Sequence, residues 1–282
     1  MRCVVAIFAH REERRIAACL RSLPLCRPDT EFHLLVNGSN DRTATIGQEV
    51  ARLHPALTVH DWQPGGKART WNRFVHDVRP ESADCWIFMD GDAEITTGSI
   101  DALQAAVAQP GVNAAAGMPM NGRQAELYRA MLHSERGLFG DLYALSGDFV
   151  ARIRQSHIRL PEDLVGDDGL IAAMAATDLR NEDGWDRERI FPCDGAGFLC
   201  APVRLIAPSS WLMQYKRMTN YSVRHFQNRI ISDIMKREGP AALPPRMATL
   251  YPRWWDRFVL RSGITGWFDR RAIARMHRAA AG

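Results

Sequence analysis

The sequence predicts an α/β fold in which a mostly parallel sheet is flanked by helices and followed by a basic, helical C-terminal extension. Two observations predict it. Residues 1–120 alternate short apolar segments with helix-like segments, which is typical of βα units. Residues 204–282 carry 15 Lys and Arg against 4 Asp and Glu, whereas residues 1–203 carry 21 Lys and Arg against 28 Asp and Glu. The charge therefore marks the last quarter of the chain as a distinct segment.

Apolar segments of strand length predict the strands of the sheet. They are Cys3–Ala9, Phe32–Val36, Leu57–His60, Cys85–Met89 and Val112–Gly117. The segments between them are predicted as helices, over Glu12–Leu23, Arg42–Leu53, Lys67–Val78 and Ser99–Ala108. Open sheets of this kind bind ligands beyond the carboxyl ends of their strands, so polar residues at those ends are the first candidates for a site.

The regular alternation stops after Gly122. Further helices are predicted over Gln124–Arg136, Leu164–Ala176 and Ser209–Arg237, the last of them ended by Gly239 and Pro240. Leu142–Ile153 is predicted to be a turn of small residues between two apolar pieces. The second half of the chain therefore departs from a simple βα repeat.

The bulk composition is that of a folded, water-soluble chain. With 282 residues, of which 46% are hydrophobic, it can bury a large core. It has no run of 18 apolar residues, and the first apolar segment leads directly into His10, Arg11 and Glu12 without the flanks of a signal peptide. We therefore expect a cytoplasmic protein without a membrane span. No recognised motif accompanies the basic charge, so we expect no nucleic-acid partner.

The most informative segment is Cys85–Ile95, CWIFMDGDAEI, where Asp90 and Asp92 follow an apolar strand and flank Gly91. Paired carboxylates suit Mg²⁺ or Mn²⁺, and two of them leave coordination positions for phosphate oxygens. The alternative is a solvated turn. The sequence thus predicts a candidate metal site, and other segments of the chain must decide between it and the solvated turn.

Three further polar segments stand at predicted strand ends or helix starts: VNGSNDRT at 36–43, GGKARTWN at 65–72 and VGDDGL at 165–170. Together with FMDGDAE at 88–94, their order and spacing resemble the family 2 glycosyltransferases of the GT-A fold, over roughly residues 3–227. The resemblance implies a Rossmann-like GT-A domain. It also implies an inverting enzyme that uses a nucleotide-diphospho-sugar, here expected to be a UDP-sugar, with Mn²⁺ or Mg²⁺.

The resemblance assigns roles to the acidic residues. Asp90 and Asp92 match the DxD pair, in which the second Asp binds the metal and the first binds ribose or metal. Asp168 matches the second acid of the family's ED motif, the general base that deprotonates the acceptor hydroxyl. Its alternative role is to stabilise the helix dipole. His225 is a further candidate for a metal ligand.

The resemblance also places residues beside the nucleotide donor: Ala9, Glu12, Asn37, Asp41, Lys67, Asp90 and Arg217. Val36 and Asn37 replace two carboxylates of the family's DDGSxD turn, which leaves the nucleotide base open. Asp41 could instead cap the following helix. Met218 replaces the Trp of the QxxRW element, so processive polymerisation is not expected.

The chain is expected to divide into a nucleotide-sugar half at 1–120, an acceptor-binding half at 121–207, and the extension at 208–282. We expect the acceptor, a saccharide or a lipid-linked molecule, near Tyr143–Asp148 and residues 161–168. The tail Tyr251–His277 interleaves Trp and Phe with Arg. It could lie in a membrane interface at the inner face of the membrane, pack on the catalytic domain, or pack on a second subunit of a homo-oligomer.

Other functions fit the sequence less well. In a haloacid-dehalogenase-like phosphatase the DxD motif lies near the N-terminus and has Thr or Val where this chain has Glu94. A nucleotidyltransferase would need a Gly-rich, basic loop after the first strand, and FAHREERR does not provide one. The non-enzymatic alternative is a degenerate GT-A-like domain that binds a nucleotide or a membrane without turnover. It is supported by departures from the family pattern, at His10, Val36, Asn37 and Met218. The intact Asp90, Asp92 and Asp168 argue against it.

Overall fold

The structure, a computed structural model, describes residues 1–78, 82–200 and 208–282, and it describes the side chains of the helix that begins at Pro208 from Gln214 onward. Within these ranges eight strands form one sheet. They are β1 (Cys3–Ala9), β2 (Thr30–Asn37), β3 (Leu57–Trp62), β4 (Cys85–Asp90), β5 (Ala93–Ile95), β6 (Ala114–Pro119), β7 (Leu142–Ser146) and β8 (Ile190–Cys200).

The strand order is β3-β2-β1-β4-β7-β6-β8-β5. The first four strands in this order are parallel, and β6 and β8 are parallel to each other. β7 runs antiparallel between β4 and β6, and β5 is an antiparallel edge strand. Both faces are covered, so β1 is buried along its whole length and is almost entirely apolar. The predicted α/β sheet is confirmed, as a mixed sheet.

Helices cover the two faces. They are α1 (Ile16–Arg21), α2 (Thr43–Ala51), α3 (Lys67–Asn72), α4 (Ser99–Val107), α5 (Ala125–Glu135), α6 (Gly147–Gln155), α7 (Asp167–Thr177), α8 (Pro208–Arg237) and α9 (Gly263–Ala281). One apolar cluster includes Trp71, Phe88 and Phe226, and the other includes Leu20 and Phe32. None of the helices in the described ranges is both long enough and apolar enough to cross a membrane.

The predicted turn over Leu142–Ile153 is wrong, because β7 leads directly into α6. The Ser146 hydroxyl caps α6 by accepting the Phe149 N–H at 3.3 Å. Small residues are needed here for close packing rather than for a turn: a Cβ on Gly147 would lie 2.1 Å from the Ala83 carbonyl oxygen. The small residues therefore reflect the close approach of the segment that precedes β4.

The C-terminal extension holds the segment that precedes α7. Gln227 of α8 donates to the Asp163 carbonyl at 3.1 Å and accepts the Val165 N–H at 2.8 Å. The Asp163 carboxylate accepts the backbone N–H groups of Met247 and Ala248, at 2.6 and 3.0 Å. The first residues of α7 are therefore positioned by chain that lies far away in sequence.

Candidate active site

Three carboxylates meet at the carboxyl end of β4. Asp90 ends that strand, and Asp92 follows two residues later. Asp141 precedes β7, and the antiparallel register pairs Met89 with Leu142, which brings Asp141 beside Asp90. Each of the three acids offers an oxygen, and these oxygens lie within 4.8 Å of one another.

This group has the chemistry of a hard-cation site. All three ligands are carboxylate oxygens, the ligand type preferred by Mg²⁺ and Mn²⁺. Burial raises the pKa of Asp90 to about 7, although the Lys67 ammonium opposes the shift, and burial also raises the pKa of Asp141. Crowded acids of this kind are relieved by a divalent ion, so the residues present fit the metal that the sequence implied.

Asp141 was not predicted from the sequence. Its only local signal is an acidic residue before an apolar segment, and that segment was expected to be part of a turn. The contact with Asp90 depends on the direction of β7, which no local pattern specifies. The same antiparallel direction carries Ser146 to the level of Cys85, at the opposite end of β4. Only the start of the predicted acceptor segment Tyr143–Asp148 therefore lies near the acids, and its later residues lie toward the opposite end of β4.

Lys67 lies at the centre of the acidic group. Its ammonium forms an ion pair with Asp90 at 2.5 Å and donates to the Gly140 carbonyl at 3.4 Å. Burial alone would lower the pKa of Lys67, but Asp167, Asp90 and Asp168 together raise it above its ordinary value. Lys67 thus links the acids after β4 to those at the start of α7.

Asp92 and Glu12 share one guanidinium. Arg15 donates to Asp92 at 3.0 Å and to Glu12 at 2.8 and 3.2 Å. Burial, with the Asp92 charge, raises the pKa of Glu12 to about 7. Even so, the carboxylates gathered at this edge outnumber the cations that accompany them among the described residues.

The two acids at the start of α7 differ in their surroundings. Asp168 forms an ion pair with Arg224 of α8 at 3.2 Å. This contact needs Gly166, where φ is +88° and a Cβ would lie 2.4 Å from the Arg224 Nε atom. Asp167 is buried, and burial raises its pKa against the opposing charge of Lys67. Asp168 is therefore the acid that a cation holds in place.

The turn after β2 uses its polar side chains internally. The Asn37 amide donates to the Ala9 carbonyl at 3.1 Å and accepts the Gly66 N–H at 3.4 Å. Asp41 accepts both the N–H and the hydroxyl of Thr43, at 3.1 and 2.6 Å. Asp41 thus stabilises the turn that leads into α2, although the N-cap residue of that helix is Arg42.

The two α8 residues of the prediction lie in different surroundings. Arg217 donates to the Tyr221 hydroxyl at 2.7 Å. Burial lowers the pKa of Arg217, but the bond to Tyr221 and, to a smaller extent, the charge of Asp141 raise it above its ordinary value. His225 packs against Phe226, with ring centroids 5.3 Å apart, and its pKa is lowered by burial and then by Arg261. The metal group in the described chain does not include His225, so the structure does not support it as a ligand.

A sequence model of the family described as glycosyl transferase family 2 matches residues 4–160, more than half of the chain. The chain belongs to glycosyltransferase family 2. It is therefore an enzyme that moves a sugar from a nucleotide sugar. No curated protein sequence matches it significantly.

Solved structures show the GT-A fold of this glycosyltransferase. It is similar to a mannosyltransferase from Pyrobaculum calidifontis in complex with GDP-Man and Mn²⁺, at 20% identity and a TM-score of 0.61, covering 100% of this chain and 75% of that chain. It is also similar to glucosyl-3-phosphoglycerate synthase from Mycobacterium tuberculosis in complex with Mn²⁺, UDP-Glc and phosphoglyceric acid. That match has 17% identity and a TM-score of 0.55, and covers 86% of this chain and 80% of that chain.

Proposed function

We propose that this glycosyltransferase is metal-dependent and inverting, and moves a sugar from a UDP-sugar to a hydroxyl of a saccharide or lipid-linked acceptor in cell-envelope glycan or glycolipid synthesis. One observation carries the proposal. The Cβ position that Gly140 lacks is 3.7 Å from a carboxylate oxygen of Asp90 and 4.0 Å from the Cβ of Asp168. The metal-binding acids and the candidate base thus border the same small space.

In this proposal Asp90, Asp92 and Asp141 hold Mn²⁺ or Mg²⁺. The ion would neutralise the diphosphate as it leaves. Lys67 and Arg217 add positive charge on the diphosphate side. The nucleoside lies against Ala9, Glu12 and the turn that contains Asn37 and Asp41, whose internal hydrogen bonds fix the shape of that surface.

Asp168 is the proposed base. It accepts the proton of the acceptor hydroxyl while the hydroxyl oxygen forms a bond to the anomeric carbon, and the nucleoside diphosphate leaves with the electron pair of the broken bond. The ion pair with Arg224 restrains this carboxylate. Residues 1–120 then supply most of the donor site, to which Asp141 and Arg217 are added from later segments. Residues 121–207 bind the acceptor in this proposal, and the boundary at 207 lies outside the described residues.

The test is calorimetry of UDP, GDP, CDP and dTDP with and without Mn²⁺. The expected result is tight binding of UDP that is lost on chelation with EDTA. The two similar proteins were solved with GDP-Man and with UDP-Glc, so GDP is the informative competitor. Preference for another nucleotide would overturn the UDP assignment alone. Metal-independent binding would overturn the metal site, and binding without turnover of any nucleotide sugar would favour the non-catalytic alternative.

A further inference from the structure

Large apolar side chains stand exposed where the C-terminal extension enters α9. Ile264 is 75% exposed, Val259 66%, Leu260 40% and Trp267 39%. We call these four residues the apolar tip. Scattered single apolar residues are ordinary on a protein surface, but four within nine positions form a patch that a partner must cover.

The loop that carries the apolar tip is firmly held. Arg261, between Leu260 and Ile264, donates from its backbone to Asp269 at 2.9 Å and from its guanidinium to both oxygens of Asp269 at 2.6 and 3.1 Å. It also donates to the Ser222 hydroxyl of α8 at 3.0 Å. The Asp269 side chain is fully buried. The exposure of the tip is therefore built into the packing and does not follow from a frayed end.

The charge around the tip is positive. Exposed basic side chains flank the tip in sequence, at Arg257, Arg270 and Arg271. Lys216 is exposed next to Tyr215 of α8, which contacts Trp267. Arg271 lies over the Trp267 ring, 4.8 Å from its centroid. Of the two acids between residues 256 and 271, Asp269 is paired with Arg261, which leaves Asp256. Apolar anchors with an aromatic ring and surrounding Arg and Lys match the headgroup region of an anionic bilayer.

The tip is joined to the active site by one helix. Tyr215 of α8 packs against Trp267, with ring centroids 5.9 Å apart. Nine residues further along α8, Arg224 contacts Asp168. At the rise of an α-helix this separation is about 14 Å, a distance that a lipid-linked sugar can span from a membrane surface to the candidate base.

We propose that the apolar tip docks this glycosyltransferase onto an anionic lipid bilayer, so that the acceptor end of the active site faces the membrane. The orientation of the acceptor rests on the proposed function, whereas the docking does not. A second copy of the chain is a poorer occupant, because a symmetric contact through the tip would bring two basic surfaces together.

The test uses the full chain with phosphatidylcholine vesicles that do or do not contain phosphatidylglycerol, and measures co-flotation. Wild-type protein should float with the anionic vesicles only, and added salt should weaken the binding because it screens the charge. The triple variant Val259→Ser, Leu260→Ser, Ile264→Ser should bind at least about tenfold more weakly. Leu53→Ser is the matched control, since Leu53 is an exposed aliphatic residue on the N-terminal part of the chain.

Nucleotide binding with Mn²⁺, measured without vesicles, reports separately on the fold and on the donor site, and the triple variant should retain it. Failure of wild-type protein to bind anionic vesicles, with nucleotide binding intact, would overturn the docking and leave the proposed function standing. Equal binding by the triple variant would also overturn it. A wild-type dimer in sedimentation that the triple variant converts to a monomer, without vesicle binding, would assign the tip to a second copy.

Discussion

The turns after β2 and β4 look alike in sequence and differ in the structure. Both place polar residues between a buried strand and a glycine-containing bend at the same edge of the sheet. After β2, Asn37 and Asp41 find hydrogen-bond donors in the chain itself. After β4, Asp90 and Asp92 have Lys67 and Arg15, but they share this edge with further acids.

The difference teaches which polar residues to assign to a ligand. A carboxylate whose oxygens are used by backbone N–H groups stabilises its turn. Carboxylates that exceed the available cations repel one another, and that repulsion is relieved when a cation binds or when one of the carboxyl groups takes up a proton. We therefore propose that the turn after β4 binds the metal, whereas the polar side chains after β2 shape a surface for the nucleoside. Four substitutions test the contrast.

The largest effect is expected from Asp92→Ala. It removes one of three close carboxylates, and the metal can no longer hold the leaving diphosphate, so kcat/KM should fall about 10³-fold or more. Calorimetry should show loss of Mn²⁺-dependent nucleotide binding. Asp148→Ala is the control, because Asp148 is exposed beyond the opposite end of β4. Unchanged nucleotide affinity at saturating Mn²⁺ would remove Asp92 from the metal site.

Asp168→Asn should abolish transfer and spare binding. The amide keeps the shape of the side chain but cannot take the hydroxyl proton, so kcat should fall about 10²- to 10³-fold while donor affinity stays within about twofold. Asp167→Asn is the matched comparison, since Asp167 is buried next to Asp168 and feels the charge of Lys67 most strongly, whereas Asp168 forms the ion pair with Arg224. A greater loss of kcat for Asp167→Asn than for Asp168→Asn would exchange the two roles.

Lys67→Met should strengthen metal binding and weaken donor binding. The ammonium pairs with Asp90, so its removal should strengthen Mn²⁺ binding to the free protein severalfold. The donor loses a cation beside its diphosphate, so KM should rise about tenfold. Manganese paramagnetic resonance and steady-state kinetics give the two readouts. Lys236→Met, on the exposed end of α8, should change neither, and weaker metal binding in Lys67→Met would show that Lys67 organises the site instead of competing for it.

The fold was predictable where local patterns were strong. Each strand predicted in the first 120 residues is present, because buried parallel strands are continuous apolar runs bounded by polar turns. β5 was not predicted since it has only three residues, and β8 was not predicted since Pro192, Gly195 and Gly197 interrupt its apolar pattern.

The residues of the site were predictable where a local sequence pattern identifies them. Asp90, Asp92 and Asp168 were found because they end a strand or begin a helix within motifs that resemble a family. Asp141 and Arg15 were not, because each reaches the site through strand order or helix packing. Long-range contacts of this kind depend on the direction of β7 and the crossing of α8, which hydrophobic periodicity does not specify.

The smallest effect is expected from Asp41→Ala. It removes hydrogen bonds to the N–H and hydroxyl of Thr43 at the start of α2, which should cost about 1 kcal/mol of stability and lower Tm by about 2–4 °C. Nucleotide affinity should change by less than about threefold, because the side chain shapes the turn rather than contacting the base. Thermal unfolding and calorimetry on the same sample measure stability and nucleotide affinity separately. A tenfold loss of affinity at unchanged Tm would instead place Asp41 on the nucleoside, and the turns after β2 and β4 would then share one function.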